Sequence, residues 1–123
     1  MPAYQKKKSY WTKKCDKLFA EVVKLMAGNK CLETNAKTNL QCAHIISRSY
    51  HSTRWDLENA VCLCQARHLY YTHHPVEWRK FICDRFGVHH WEKLEDRALK
   101  YKSRSLEDLK GIYGILSTIR ASL

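Results

Sequence analysis

The sequence predicts an α+β fold: a mostly helical single domain around a small central β element. Three features lead there. The chain has 123 residues, one domain's worth and enough to bury a core without disulfide staples. Apolar residues recur at three- and four-residue spacing over several stretches, the pattern of helices with one buried face. Two short apolar runs, Leu40 to Ile46 and Ala60 to Leu63, suit strands and are too short for helices of ordinary length. No internal repeat, low-complexity tract or domain boundary divides the chain.

In order along the chain, Gln5-Lys6-Lys7-Lys8 is a basic arm, either a solvated terminus or a phosphate contact. From Ser9 to Ala27 the stripe Cys15, Leu18, Phe19, Val22, Val23 and Met26 predicts a helix, stopped by Gly28-Asn29. Lys30 to Asn39 is polar and reads as a loop or a knuckle-like turn. The two strands follow, separated by Ser47 to Asn59, which is too long for a tight hairpin and must form an elaborated loop. Helical signals resume from Gln65 to about Thr72. Pro75 opens a further helix with Trp78, Phe81, Ile82 and Phe86 on one face and Gly87 as its stop. Another runs from about His89 to Lys102 with Trp91, Leu94, Ala98 and Tyr101. The last has Ser105 as N-cap, Asp108 three residues on, and a stripe of Leu109, Ile112, Tyr113, Leu116 and Ile119. The organisation is thus an N-terminal helix (9–28), a central unit (31–74) and C-terminal helices (75–123).

Composition narrows the functional classes. With 45% hydrophobic and 28% charged residues the chain is globular rather than disordered. No apolar run approaches the ~18 residues of a membrane span, and Met1 to Lys8 holds no apolar stretch that could act as a leader, so a cytoplasmic location and no membrane partner are expected. Lys and Arg number 22 against 12 Asp and Glu, a formal charge of +10. That excess makes a polyanion, nucleic acid first, the expected partner. The six cysteines would be an even disulfide set in a secreted chain; without an export signal they read as metal ligands or as buried thiols. Cys15 and Cys83 fall on apolar helix faces and are expected to be buried.

The residues that bear chemistry concentrate between Leu40 and His74. A strand can present His44 on one face, the returning strand brings Asn59 close, and the first turn of the following helix aims His68 at the same point. One divalent cation beside a neutral imidazole is what phosphodiester hydrolysis needs.

This arrangement resembles the HNH family of nucleases, whose fold is a ββα-metal unit. The name-giving positions fall on His44, Asn59 and His68, with the family's usual spacing of nine between the last two. The flanking words Ala43-His44-Ile45-Ile46-Ser47-Arg48, Thr53-Arg54-Trp55-Asp56-Leu57-Glu58-Asn59 and Leu63-Cys64 are similar to its phage branch, which includes small proteins accompanying terminases and the NinG-type recombination nucleases. The resemblance spans Cys31 to His74. It implies a metal-dependent DNA endonuclease acting in phage recombination, processing or packaging, in the host cytoplasm and with terminase or recombination proteins as possible partners. The competing expectation is a non-catalytic DNA-binding module on a degenerate version of the fold.

By the same resemblance His44 is the general base, neutral and competent at pH 7 with an ordinary pKa of ~6.5. Asn59 ties the connecting loop to the site, and His68 ligates the cation, Mg²⁺ or Mn²⁺. His73 or His74 could add a ligand, although five residues from His68 to His73 is off the i, i+4 spacing that places two ligands together. Many relatives have Asp or His just before the base; here that position is Ala43. Asp56 is the preferred substitute and His51 the other, while Asp56 could equally pair with Arg54. Relatives with a structural zinc use two C-x-x-C pairs, and here Thr34 and Arg67 stand at the second positions. Cys31, Cys42, Cys62 and Cys64 are the thiols left for Zn²⁺, an incomplete set. Arg48, Arg54 and Arg67 are the expected DNA grip, with Arg54 a candidate clamp on the transition state; ion pairing with Asp56 and Glu58 is the alternative. Trp55, Trp78 and Trp91 are core residues or, less in keeping with their type, stack on bases.

Overall fold

A computed structural model describes residues 2–100 and 103–123. A 3-10 turn, Ala3–Lys6, leads into α1 (Lys8–Met26). The hairpin strands β1 (Leu40–His44) and β2 (Ala60–Cys64) follow, then α2 (Gln65–Thr72), α3 (Pro75–Phe86), α4 (Val88–Leu99) and α5 (Leu106–Ala121). The chain is α+β, and mostly helical, as the sequence predicts. The basic stretch at its start is partly folded: Trp11 Nε1 donates to the Gln5 carbonyl at 2.7 Å and holds the 3-10 turn against α1.

The strands pair antiparallel, with Cys42 opposite Cys62 and His44 opposite Ala60. Side chains alternate across a sheet, and both faces of this hairpin are covered. Cys42, Ala60 and Cys62 join the α1–α5 core around Phe19, Val22, Trp55, Leu109 and Leu116. Ala43, Ile45, Val61 and Leu63 join Tyr71, Ile82, Trp91 and Leu94 on the opposite face. Burial on both sides is why Ala60 to Cys64 reads as one continuous apolar run instead of alternating. The result is three layers, with α1 and α5 on one side and α2 to α4 on the other.

Strand β1 stops two residues before the predicted end. The N–H of Ile45 still donates to the Asn59 carbonyl at 2.8 Å, but that of Ile46 donates to the Asn59 side chain at 2.8 Å. A side-chain amide thus takes over from the partner strand and turns the chain out of the sheet. Gly87, at φ +96°, closes α3 and opens α4 at once; only glycine adopts that backbone without strain. The sharp turn leaves Phe86 43% exposed against His90, where the apolar pattern predicts burial. Helix α4 is seen to Leu99, and the predicted contribution of Tyr101 and Lys102 lies outside the described residues. Ser105 and Asp108 form the reciprocal capping box of α5.

Trp55 and Trp91 are buried, and Trp78 is partly buried with its Nε1 donating to the Ile45 carbonyl at 3.1 Å, so all three are core residues. Cys15 is buried and donates to the Leu109 carbonyl, whereas Cys83 is only partly covered. No described helix is long and apolar enough to cross a membrane.

Candidate functional site

A cavity of about 920 Å³ opens between α1 and the β1–α2 side of the hairpin. His44, Arg48 and His68 all line it, as do Asp16, Phe19 and Lys24 from α1 and Gln41 from β1. The two histidines reach it from different layers. Alternation turns His44 toward α1, where its ring stacks on Phe19 with centroids 5.5 Å apart and planes at 22°. His68 is in the first turn of α2, on the other side of the strand.

Each imidazole is held by one oxygen. His44 Nε2 lies 2.8 Å from the Arg54 carbonyl. A carbonyl can only accept, so Nε2 carries the proton and Nδ1 the lone pair. Burial lowers the His44 pKa below its ordinary value; the Arg54 carbonyl and Asp16 oppose that shift, and Arg48 and Arg54 add to it. The shift favours the neutral form of the ring at pH 7. His68 Nδ1 lies 2.7 Å from Gln41 Oε1. By the same logic Nδ1–H donates and Nε2 keeps the lone pair. Burial lowers the His68 pKa as well.

Asn59 is fully buried and is not among the residues that line the cavity. Its Oδ1 accepts from Ile46 N–H at 2.8 Å, and its Nδ2 donates to the carbonyls of Ile46 and Thr53, both at 3.0 Å. It thereby clamps both limbs of the loop that carries Arg54.

Other expected residues are placed elsewhere. Asp56 is outside the cavity lining: it caps the 3-10 turn Leu57–Asn59 through Glu58 N–H and pairs with Arg97 at 2.8 Å. It pairs with neither Arg54 nor a metal-ligating neighbour. Arg97 of α4 also takes Glu58, at 2.9 Å. His51 packs against Trp55, and His74 stacks on Tyr70. His73 is exposed at the end of α2 and absent from the lining. Among the described residues, no group of three or more His, Cys, Asp or Glu is placed to hold a metal.

The arginines separate by partner. Arg54 is not a free clamp, because its Nε and Nη2 fork onto the two Asp16 oxygens at 3.0 and 2.7 Å. Arg67 pairs with Glu33, which also accepts from the Tyr71 hydroxyl, and lies over the Tyr70 and Tyr71 rings. Arg48 is exposed at the cavity rim, and its guanidinium has no acidic partner among the described residues. The cysteines divide too. Cys42 and Cys62 pair across the hairpin within the α1 core. Cys31 and Cys64 sit at the turn beside Thr34, whose hydroxyl is 3.8 Å from Cys64 Sγ. Burial pushes the Cys31 thiol up, but hydrogen bonds from the Thr34 hydroxyl and from the backbone of Cys64, Thr34 and Glu33 outweigh it and bring the thiol down to about 7. The contact between the 31–36 turn and α2 is made by the Glu33, Arg67 and Tyr71 cluster.

Asp16, Phe19 and Gln41 do not stand out in the sequence as site residues. Asp16 and Phe19 belong to a helix outside the His, Asn, His spacing, and an uncharged Gln carries no signal of its own. The available clue is spacing: Asp16, Ala20 and Lys24 recur every four residues along one face of α1. No family model, curated protein or solved structure matches the chain.

Two outcomes are expected. Asn59→Ala strands the Ile46 N–H and two carbonyls in the interior, and should cost about 2–4 kcal/mol, read as a fall in the denaturant midpoint. His44 and His68 have folded pKa values below the unfolded ~6.5, so the unfolded state binds more protons as the pH falls. Their contribution is present above pH ~6.5 and is lost below it. Thermal melts should therefore show Tm falling between pH 6.5 and 5, with a smaller fall in the His44→Gln, His68→Gln double variant.

Proposed function

We propose that the chain is a metal-dependent DNA endonuclease of the HNH type with His44 as general base. One observation carries this reading: the Arg54 carbonyl occupies Nε2 of His44 and leaves the Nδ1 lone pair on a ring that lines a cavity shared with His68 and Arg48. Phosphodiester hydrolysis requires a base for the attacking water and positive charge for the phosphate oxygens. His44 supplies the first. Its Nδ1 takes the proton, and the resulting imidazolium is stabilised by the Arg54 carbonyl on the other nitrogen. Arg48 supplies the second, as a guanidinium without an acidic partner among the described residues, whose fork matches two phosphate oxygens. The net charge of +10 favours any polyanion, and binding through phosphates should weaken steeply with salt.

On this reading a divalent cation, Mg²⁺ or Mn²⁺, would have His68 as its one protein ligand, since no larger cluster of His, Cys, Asp or Glu is placed to hold it among the described residues. His68 would hold it through Nε2, because Nδ1–H is committed to Gln41 Oε1; a metal-ligating imidazole is commonly oriented in this way by an acceptor on its other nitrogen. Ala43 offers no donor, so water and substrate phosphate would complete the shell, as such cations accept. When bound, the cation would supply Lewis-acid stabilisation of the phosphate and the departing oxygen.

The second reading, a non-catalytic DNA-binding module, is favoured by Ala43, which is 1% exposed and packed into the α2–α4 core at the position where many of the HNH nucleases that the sequence resembles place a ligand. Plasmid cleavage separates the two. The nuclease reading expects nicking of supercoiled DNA with Mg²⁺ or Mn²⁺, stopped by chelator and reduced about 100-fold or more by His44→Ala. Intact supercoiled, branched and single-stranded DNA with every divalent ion, alongside salt-sensitive binding that His44→Ala leaves unchanged, would overturn it in favour of the binding module.

A further inference from the structure

Helix α1 reaches the site through Asp16. Its carboxylate takes the Arg54 fork at 3.0 and 2.7 Å and also accepts from Trp55 Nε1 at 2.9 Å. All three donors belong to adjacent loop residues, and Arg54 is the residue whose carbonyl accepts from His44 Nε2. The ion pair is largely shielded, with side chains 15% and 26% exposed for Arg54 and Asp16. A two-bond fork fixes direction as well as distance. The guanidinium lies over the Trp55 ring at 5.3 Å, and that ring is itself buried against α1 and α5. Thus the residue that sets the tautomer of His44 is anchored at its far end by one carboxylate from outside the hairpin.

We propose that Asp16 is a positioning residue for the His44 base, holding the Arg54 carbonyl in place through the Arg54 and Trp55 side chains so that His44 keeps its Nδ1 free. This deepens the nuclease reading and rests on it for its catalytic consequence, although the positioning itself needs no substrate. It assigns α1 a part in the chemistry beyond covering the hairpin. It also gives Arg54 a role different from that of Arg48: Arg54 is spent on the loop, and Arg48 is left for phosphate.

The test uses the full chain with Asp16→Asn, which keeps the side-chain shape and removes the charge. Nitrogen-15 NMR of the His44 ring reads the tautomer directly, and steady-state cleavage reads kcat and KM separately. The expected result in the folded variant is a mixture of Nδ1–H and Nε2–H forms in place of one. With it, kcat should fall about 10- to 100-fold, part of the ~10²–10⁴ that a positioned base contributes, while KM stays within about twofold. A folded Asp16→Asn protein with the single Nε2–H form and unchanged kcat overturns the proposal. If Asp16→Asn does not fold, Arg54→Lys, which keeps the carbonyl and a cation but loses the fork, is measured the same way with the same two outcomes. If the wild-type protein cleaves no DNA, the nuclease reading fails alone, and the tautomer populations still decide the role of Asp16.

Discussion

Asn59 places a primary amide in the interior, and a buried amide is tolerable only when its donors and acceptor are matched. Here the match is made by Ile46 and Thr53, which lie on opposite limbs of the loop between the strands. That requirement sets the loop's path. It ends β1 at His44, draws Thr53 inward, and leaves Arg54 as the next residue, with its carbonyl against His44 Nε2. The orientation of the imidazole, and with it which nitrogen is free, follows from satisfying an amide that never touches the cavity.

The loop is secured from two other directions by charge. Asp16 of α1 takes Arg54 and Trp55, and Arg97 of α4 takes Asp56 and Glu58. Both outer layers thus grip the segment that crosses between the strands. Exposed ion pairs add little to stability, but the partly shielded two-bond fork of Arg54 on Asp16 fixes direction. The division of labour among the arginines has the same origin. Where a carboxylate is within reach the guanidinium organises protein, and Arg48, without one among the described residues, faces solvent at the cavity rim.

Much of the fold was legible because it depends on periodicity. The stripe from Cys15 to Val23, Pro75 at the head of α3, Gly87 at its end and the Ser105–Asp108 box each act locally, and each places its element within a residue or two. What local pattern misses is tertiary. Ile46 belongs to β1 by composition and leaves it because Asn59 supplies a side chain where a strand would supply backbone. Phe86 has the spacing of a buried residue and is exposed because the chain turns at Gly87. Within the site, the spacing of His44, Asn59 and His68 marked two residues that line the cavity, His44 and His68, and one, Asn59, that is buried outside its lining. It could not reveal that Asp56 faces Arg97, nor that Gln41 would meet His68 across the β1–α2 contact. Acidic residues in a basic sequence have many possible partners, and only the packed layers choose among them.

The proposed nuclease reading requires the cavity between α1 and the hairpin to receive the phosphate backbone of DNA. Amide and side-chain shift mapping of a short duplex on isotope-labelled His44→Ala protein, with chelator present so that no cleavage intervenes, tests it most directly. The shifts should centre on Arg48, Ser47, Gln41 and His68, and fade as salt is raised. Shifts that leave these residues unchanged and gather instead on the outer face of α5 or α3 would contradict it.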